Sequence, residues 1–434
     1  MTTALPDVLL ALGAVAALAI VVIVAYVLPR GAVLAWTLVL FFVPVWVGAS
    51  AGFFWYAISA VTVLLVVTCW GRVPLHPADG WMAAFVVVLV GLFLIKDVTL
   101  AAAVMAVPQW VIPYVWGRIV IARVGARWVT QVIAGVAVAA AVLGILEFVT
   151  SFNPWVLIPG PEPLYSTWSE LQPRGGMLRI EGAFGHSIAM GTVLAMSSAF
   201  VIAARWKSLT TLLAVGALVS AVVLTFSRVA MITLMLTIVL SVLLLPGLSR
   251  RVRLGIVGLG VVAVAAVLPV LEAVLDAAGD EAEGSAAYRT DLLVLLRQVE
   301  LFGNPGDWAS LVSGEYYLGY FARSVDNALL SILLRLGYVP TALLFASVVC
   351  AVLLLLRRGA RSPAAIAVAG QLPSLVVVAM ITQYGTFFWF CVGLAIASRI
   401  PNVGPAEEGE VGRLRARGAP GQLSDRSPAA LDAR

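Results

Sequence analysis

The hydrophobic pattern of the chain consists of long apolar runs separated by short polar segments. A helix needs roughly 20 apolar residues to cross the hydrocarbon core of a bilayer. The pattern therefore predicts an all-α, polytopic bundle of about 11–13 transmembrane helices. The predicted spans lie at about 5–28, 31–49, 52–70, 81–99, 100–117, 128–150, 186–204, 208–225, 228–246, 253–271, 327–356, 363–381 and 384–399.

Two stretches of the first half allow more than one interpretation. Residues 31–70 predict either two short spans or one bent unit around Pro44 and Gly48. Residues 100–117 contain Pro108 and Pro113, which are typical of a broken or interfacial helix.

Composition supports a membrane protein and excludes several other classes. The chain has 434 residues, of which 62% are hydrophobic and 11% are charged. Soluble domains average roughly 45–50% apolar and about 25% charged residues. A soluble enzyme, a disordered protein and a secreted disulfide scaffold are therefore excluded.

Basic residues between the predicted spans indicate the orientation. They recur in the inter-helix segments at Arg118, Arg123 and Arg127, Arg205 and Lys207, Arg250, Arg251 and Arg253, and Arg357, Arg358 and Arg361. The positive-inside rule makes these segments cytoplasmic. The segments 151–185 and 272–326 are then external, and the second carries ten acids and three arginines.

The chain thus predicts one multi-pass domain of the cytoplasmic (inner or plasma) membrane over residues 1–400, with 272–326 as its larger external loop. Residues 401–434 are rich in Pro, Gly, Ala and charge and predict a disordered cytoplasmic tail.

Candidate chemistry lies at the external ends of the spans. Arg179 to His186 ends the first external loop, and a span follows directly. A cation beside a helix N-terminus is suited to phosphate, although Arg179 could instead face lipid headgroups. Arg228 begins a span with no polar loop around it, which favours anion binding over extension toward headgroups. Arg289 precedes an apolar pattern in the second external loop and predicts a third cation on that face.

Other features of the sequence are less specific. Trp155, Tyr165 and Trp168 of the first external loop predict either interfacial anchors or surfaces for stacking on sugars. Only two histidines are present, His76 and His186, and the acids lack metal-ligand spacing. No nucleotide-binding or hydrolase motif occurs, so we expect no metal, no cofactor and no nucleic-acid partner.

Four segments of the second half resemble the O-antigen ligase and polymerase superfamily, which assembles bacterial polysaccharides in the membrane. Together they extend over about 175–345. They are Arg179 through His186, similar to the family's Arg-x-x-Gly-x-Phe segment; Thr225 to Arg228, similar to its Thr-x-Ser-Arg segment; Tyr288-Arg289 followed by Leu301-Phe302-Gly303; and Asp326 through Gly337.

The resemblance implies transfer of a glycan from an undecaprenyl diphosphate carrier to a glycan or lipid acceptor. It implies that Arg179, Arg228 and Arg289 bind the diphosphate. Asp326 is then the first candidate for the base that takes the acceptor proton, and Glu181 the second. Asn327 is expected to orient the acid or the sugar, and His186 to cap its span or to bind substrate. The ligase branch usually has a histidine where Asp326 stands, and this departure favours a polymerase.

Three other classes remain open at this point. A transporter or flippase of lipid-linked oligosaccharide fits the composition, although such proteins often contain internal repeats and mid-membrane charges. A peptidoglycan glycosyltransferase of the shape, elongation, division and sporulation type also uses a lipid diphosphate. A membrane scaffold would leave Arg228 unexplained.

Overall fold

The structure is a computed structural model that describes residues 23–261 except 24, 52, 72, 175, then 265, 292–303, 312–313, 316–317 and 325–398. Most of the predicted span 5–28, the end of the span 253–271, Arg289, most of the loop 272–326 and the tail 401–434 lie outside these residues. The described part is all-α, with three short two-stranded hairpins.

The stretch 31–70 forms two helices joined by a hairpin. Helix α1 (Pro29–Phe42) ends just before Pro44, whose fixed backbone does not continue a helix. Strands β1 (Gly48–Ala51) and β2 (Phe53–Tyr56) pair antiparallel and lead into α2 (Ala57–Thr68). The stretch thus contains two separate helices of 14 and 12 residues.

The prolines of the 100–117 stretch do not break the helix. Helix α4 (Leu100–Val124) is continuous and contains a π-helical turn, Val107–Val111, where the N–H of Ile112 bonds to the carbonyl of Val107. Pro113 has no N–H to donate to the carbonyl four residues before it, so a widened turn is favoured here. Helix α4 therefore extends beyond the predicted end at 117.

Arg118 is not a loop residue, contrary to its use as an orientation marker. It lies within α4, is 5% exposed, and pairs with Asp79 of α3 (Pro77–Leu94). Its Nε and Nη2 donate to the two carboxylate oxygens at 2.7 and 2.8 Å, and the hydroxyl of Tyr114 donates to the same carboxylate at 2.6 Å. The pair joins α3 to α4.

The next helices follow the predicted spans closely. They are α5 (Ala126–Thr150), α7 (Ser187–Ala203), α8 (Ser208–Leu224) and α9 (Arg228–Leu244), and residues 250–261 are also helical. The segment between α5 and α7 holds two 3₁₀ turns, Pro154–Leu157 and Gly182–Phe184, the short helix α6 (Leu164–Trp168) and the hairpin of β3 (Pro173–Arg174) with β4 (Met177–Leu178).

Two predicted spans of the second half are interrupted. The run 327–356 divides at Gly337 (φ 87°) into α10 (Ala328–Leu336) and α11 (Tyr338–Leu353). The run 363–381 divides at Gln371 into α12 (Pro363–Gly370) and the single turn α13 (Leu372–Leu375). Neither is one uninterrupted span as predicted. The last helix, α14 (Thr382–Ala397), matches its prediction.

Helices α7 and α14 form the centre of the bundle, because nearly all their residues are buried. Helix α14 crosses α4 where Gly117 meets Gly393. A Cβ atom on either glycine would collide with the backbone of the other helix, so only glycine permits this approach.

The outer helices carry exposed apolar side chains. Val87, Leu94, Val149, Leu213 and Leu243 are each at least 66% exposed. Four described helices are long and apolar enough to cross a membrane, namely α3, α4, α5 and Tyr338–Leu356. Together with the composition, these faces indicate a membrane protein.

Candidate functional site

Two of the segments singled out in the sequence lie side by side. The Nε of Arg179 donates to the backbone carbonyl of Thr225 at 2.8 Å, and the N–H of Ile180 donates to the carbonyl of Leu224 at 3.3 Å. Residues 179–186 are therefore held against the turn between α8 and α9. Arg228, three residues after Thr225, is exposed in the first turn of α9.

Glu147 holds the turn that follows Arg179. It lies in the last turn of α5 and is 6% exposed. Its carboxylate accepts hydrogen bonds from the N–H of Glu181 at 3.1 Å, the N–H of Gly182 at 3.0 Å and the side-chain amide of Asn153 at 2.9 Å. Gly182 has φ +53°, which a glycine adopts without strain. Glu147 thus fixes the backbone between Arg179 and α7.

Glu181 is fully buried behind this turn. One carboxylate oxygen accepts the N–H of Gln172 at 3.3 Å. Burial raises the pKa of Glu181 to about 7, against the opposing effects of the Gln172 N–H and the Arg179 guanidinium. The second candidate base is therefore shielded, and it is not among the residues that line the cavity described below.

His186 caps α7, as expected. Its Nδ1 accepts the N–H of Ile188 at 3.1 Å, so the proton of the neutral ring lies on Nε2. Burial, assisted by the Arg179 charge, lowers the pKa of His186 to about 4. At neutral pH the ring therefore offers a donor rather than a base.

A cavity of about 420 Å³ lies next to this segment. Its walls come from α2, the π turn of α4, the loop before α7, helix α10 and the residues around the start of α14. The polar side chains that matter for its chemistry are Gln109, Gln172, His186, Asp326, Ser331 and Arg335. A cavity of this volume is large enough for a sugar.

Asp326 and Asn327 have different positions. Asp326 lines the cavity and is half-buried. Asn327 is buried and caps α10, its side-chain oxygen accepting the N–H of Leu330 at 2.9 Å. The capping role therefore falls on Asn327, and Asp326 faces the same cavity as His186.

The turn Leu301-Phe302-Gly303 lies against the end of the segment Asp326 through Gly337. The N–H of Gly303 donates to the carbonyl of Leu336 at 2.8 Å, and the N–H groups of Tyr338 and Val339 donate to the carbonyls of Glu300 and Leu301. The turn at 301–303 thus supports the helix break at Gly337.

The aromatic residues of the first loop separate into two groups. Trp155 donates to the carbonyl of Phe42, and Tyr165 donates to the carbonyl of Val156, so both serve the packing of the loop. Trp168 lines the cavity, with its ring 6.3 Å from that of His186. Only Trp168 of the three is placed to contact a ligand there.

The sequence analysis missed Glu147, Gln109 and Arg335. Glu147 and Arg335 are lone charges within apolar runs, the same signal that singles out Arg228. Gln109 faces the cavity because of the π turn, which periodicity does not reveal. Neither Arg179 nor Arg228 is among the residues that line the cavity.

Within the described ranges, no three His, Cys, Asp or Glu side chains are grouped so that they could hold a metal ion. No protein-family model, curated protein or solved structure matches the chain.

Proposed function

We propose that the protein is a membrane glycosyltransferase that polymerises or ligates undecaprenyl-diphosphate-linked glycans on the outer side of the cytoplasmic membrane. The bundle has about 11–13 spans in this proposal. One observation carries it: Arg179, with its hydrogen bond to Thr225, lies beside the turn that precedes Arg228, and the segment it begins ends at the cavity that Asp326 lines. A diphosphate site and an acceptor site would thereby adjoin.

The arrangement supports a direct transfer. The oxygen of an acceptor hydroxyl attacks the anomeric carbon of the donor sugar, and the bond from that carbon to the diphosphate oxygen breaks. The carboxylate of Asp326 takes the hydroxyl proton. The departing diphosphate gains negative charge, which Arg179, Arg228 and Arg289 are expected to stabilise.

Asp326 is a better candidate for the base than Glu181 or His186. Glu181 is fully buried and outside the cavity wall, and the Nδ1 of His186 is occupied by the N–H of Ile188. His186 is instead suited to donate from Nε2 to an oxygen of the substrate. Asn327 caps α10 and therefore supports the site through the start of that helix.

Gene deletion followed by analysis of the surface glycan tests the proposal. Loss of long chains with accumulation of single lipid-linked units indicates a polymerase, whereas long chains that remain unattached indicate a ligase. Lipid-linked units trapped on the cytoplasmic face would instead indicate the flippase alternative, and unchanged glycans would contradict both.

A further inference from the structure

Helix α10 presents one face to the cavity. Ala328, Ser331, Ile332 and Arg335 all line it, at the spacing of a single helical face. The other face carries Leu330 and Leu334, which pack against the apolar side chains of the 3₁₀ helix Leu292–Gln298. The orientation of α10 is therefore fixed, and Arg335 is held on the cavity side.

Arg335 is a half-buried cation within an apolar run. Its hydrogen-bond partner is the sulfur of Met105, 3.0 Å from Nη1. In the part of the chain that the structure describes, no carboxylate lies within 4.0 Å of its guanidinium. Arg118 is the natural comparison, because it also lies within an apolar run but pairs with Asp79.

Burying a cation is unfavourable unless an anion or good hydrogen-bond acceptors replace the water that it loses. A methionine sulfur offsets little of this, being a weak acceptor. An anionic ligand in the cavity would supply the missing charge, and the planar guanidinium binds phosphate or carboxylate through two parallel hydrogen bonds.

Other residues that line the cavity are suited to the neutral part of such a ligand. The π turn of α4 directs both Gln109 and Trp110 to the cavity, and the loop before α7 adds Trp168 and Gln172. Amide groups bind hydroxyls, and aromatic faces pack against sugar rings. π turns are frequent at functional sites.

We propose that Arg335 binds an oxyanion of a lipid-linked sugar within the cavity, with Gln109, Gln172 and the two tryptophans around the sugar. The oxyanion belongs either to the phosphate of the carrier or to a carboxylate on the sugar. The identity of the carrier rests on the proposed function, but occupation of the cavity by an anion does not require turnover.

Binding by the purified full chain tests this inference. We expect undecaprenyl diphosphate to bind at least tenfold more tightly than undecaprenol. Arg335→Gln should reduce this preference about tenfold or more, and Arg335→Lys should retain part of it. Arg358→Gln is the matched control, because it removes an exposed cation that does not line the cavity. It should leave the preference unchanged.

A second measurement reports on the cavity itself and keeps Arg335 in place. Ser331→Cys, with Cys69, Cys350 and Cys391 replaced, provides a thiol on the cavity face of α10. Undecaprenyl diphosphate should slow its modification by a charged thiol reagent more than undecaprenol does. Glucuronate that protects better than glucose, with Arg335→Gln abolishing the difference, would assign the oxyanion to a sugar carboxylate.

The inference is overturned if neither anion is preferred over its neutral counterpart in the unmodified protein, or if Arg335→Gln folds and keeps both preferences. Unchanged surface glycans on gene deletion, together with an anion preference that depends on Arg335, would contradict the proposed function and leave the anion site intact.

Discussion

Arg179 and Thr225 are joined by a hydrogen bond of 2.8 Å from Nε to the backbone carbonyl. The donor is Nε, the guanidinium nitrogen nearest the backbone, and a lysine side chain has no equivalent of it. Since the carbonyl belongs to the turn that precedes α9, the bond fixes Arg179 relative to the start of the helix that carries Arg228. The backbone segments that carry the two cations are thus held together, although Arg179 and Thr225 are 46 positions apart in the sequence.

We predict that Arg228→Ala abolishes glycan transfer while the protein still accumulates in the membrane. Arg228→Lys and Arg179→Lys should restore little, because a point charge does not replace a bidentate fork on a diphosphate. Loss of one such contact costs on the order of 100–1,000-fold in rate. Turnover of purified variants on lipid-linked substrate measures this, with Arg358→Ala as control. Near-normal turnover in Arg228→Ala would mean that Arg228 only contacts headgroups.

Asp326→Asn should lower turnover roughly 100-fold or more, the usual scale for loss of a general base. Donor binding should persist. Asp326→His should recover part of the activity, because an imidazole at this position could also accept the proton.

The neighbouring residue supplies the control for Asp326. Asn327→Ala removes the cap of α10 and should lower stability by about 1 kcal/mol, seen as a lower thermal midpoint. If Asp326→Asn keeps wild-type turnover, Asp326 has no part in the transfer.

Glu147→Gln should reduce turnover by misplacing the turn after Arg179. Glutamine offers one acceptor oxygen and an NH₂ group, so a backbone N–H of Glu181 or Gly182 would face another donor. The unmet donor costs roughly 1–3 kcal/mol. A positioning role predicts a lower kcat with an unchanged pH profile. The exposed Glu170 provides the matched control, because Glu170→Gln should keep the turnover of the wild type. Equal turnover in Glu147→Gln and Glu170→Gln would contradict the role of Glu147.

Stability should depend on pH through Glu181. Its pKa is raised to about 7 from 4.5, so the folded state holds this proton more tightly than the unfolded state. The contribution of the protonated Glu181 to the free energy of unfolding is complete below about pH 4.5 and is lost as the pH rises through 7. His186 acts in the opposite direction: its pKa is lowered to about 4, so its contribution is lost as the pH falls from 6.5 toward 4.

The two effects oppose each other between about pH 4.5 and 6.5, so variants are needed to separate them. Glu181→Gln should flatten the fall in thermal midpoint between pH 6 and pH 8 relative to wild type. An identical pH dependence in Glu181→Gln and wild type would show that Glu181 does not titrate in this range.

The orientation can be tested by cysteine labelling in whole cells. With the native cysteines replaced, Asp280→Cys should react with an impermeant reagent without permeabilisation, because 272–326 is predicted to be external. A cysteine introduced after Arg399 should react only after permeabilisation. The reverse pattern would overturn the orientation and the external location of the site.

The sequence predicts helices well where polar residues mark their ends. Helices α7 and α9 follow directly after His186 and Ser227, whose side chains cap them, and both helices agree with the predicted runs. Breaks inside apolar runs were not predicted. Gly337 and Gln371 interrupt helices without a change in hydropathy, and the break at Gly337 depends on the distant turn at 301–303.

The site was predictable only in part, for a similar reason. Arg179, Arg228 and Asp326 stand at the ends of apolar runs, where a charge is conspicuous. Glu147 and Arg335 act through residues far away in sequence, so their roles become visible only when the helices are packed. The pairing of Arg118 with Asp79 is not visible in the sequence for the same reason, because the two residues are 39 positions apart.

The π turn of α4 sets the phase of the whole helix. Each residue of an α-helix turns it by about 100°, so the additional residue accommodated in the turn rotates everything beyond it relative to everything before it. One helix can thus direct Gln109 to the cavity and, further along, Arg118 to Asp79. Deleting a single residue between 107 and 111 would restore regular winding at the expense of one of these two directions. The orientation of the cavity-facing part of α4 is therefore coupled to the orientation of the part that pairs with α3. An insertion or deletion in this helix would change at least one of the two, whereas a regular lipid-facing helix could tolerate it.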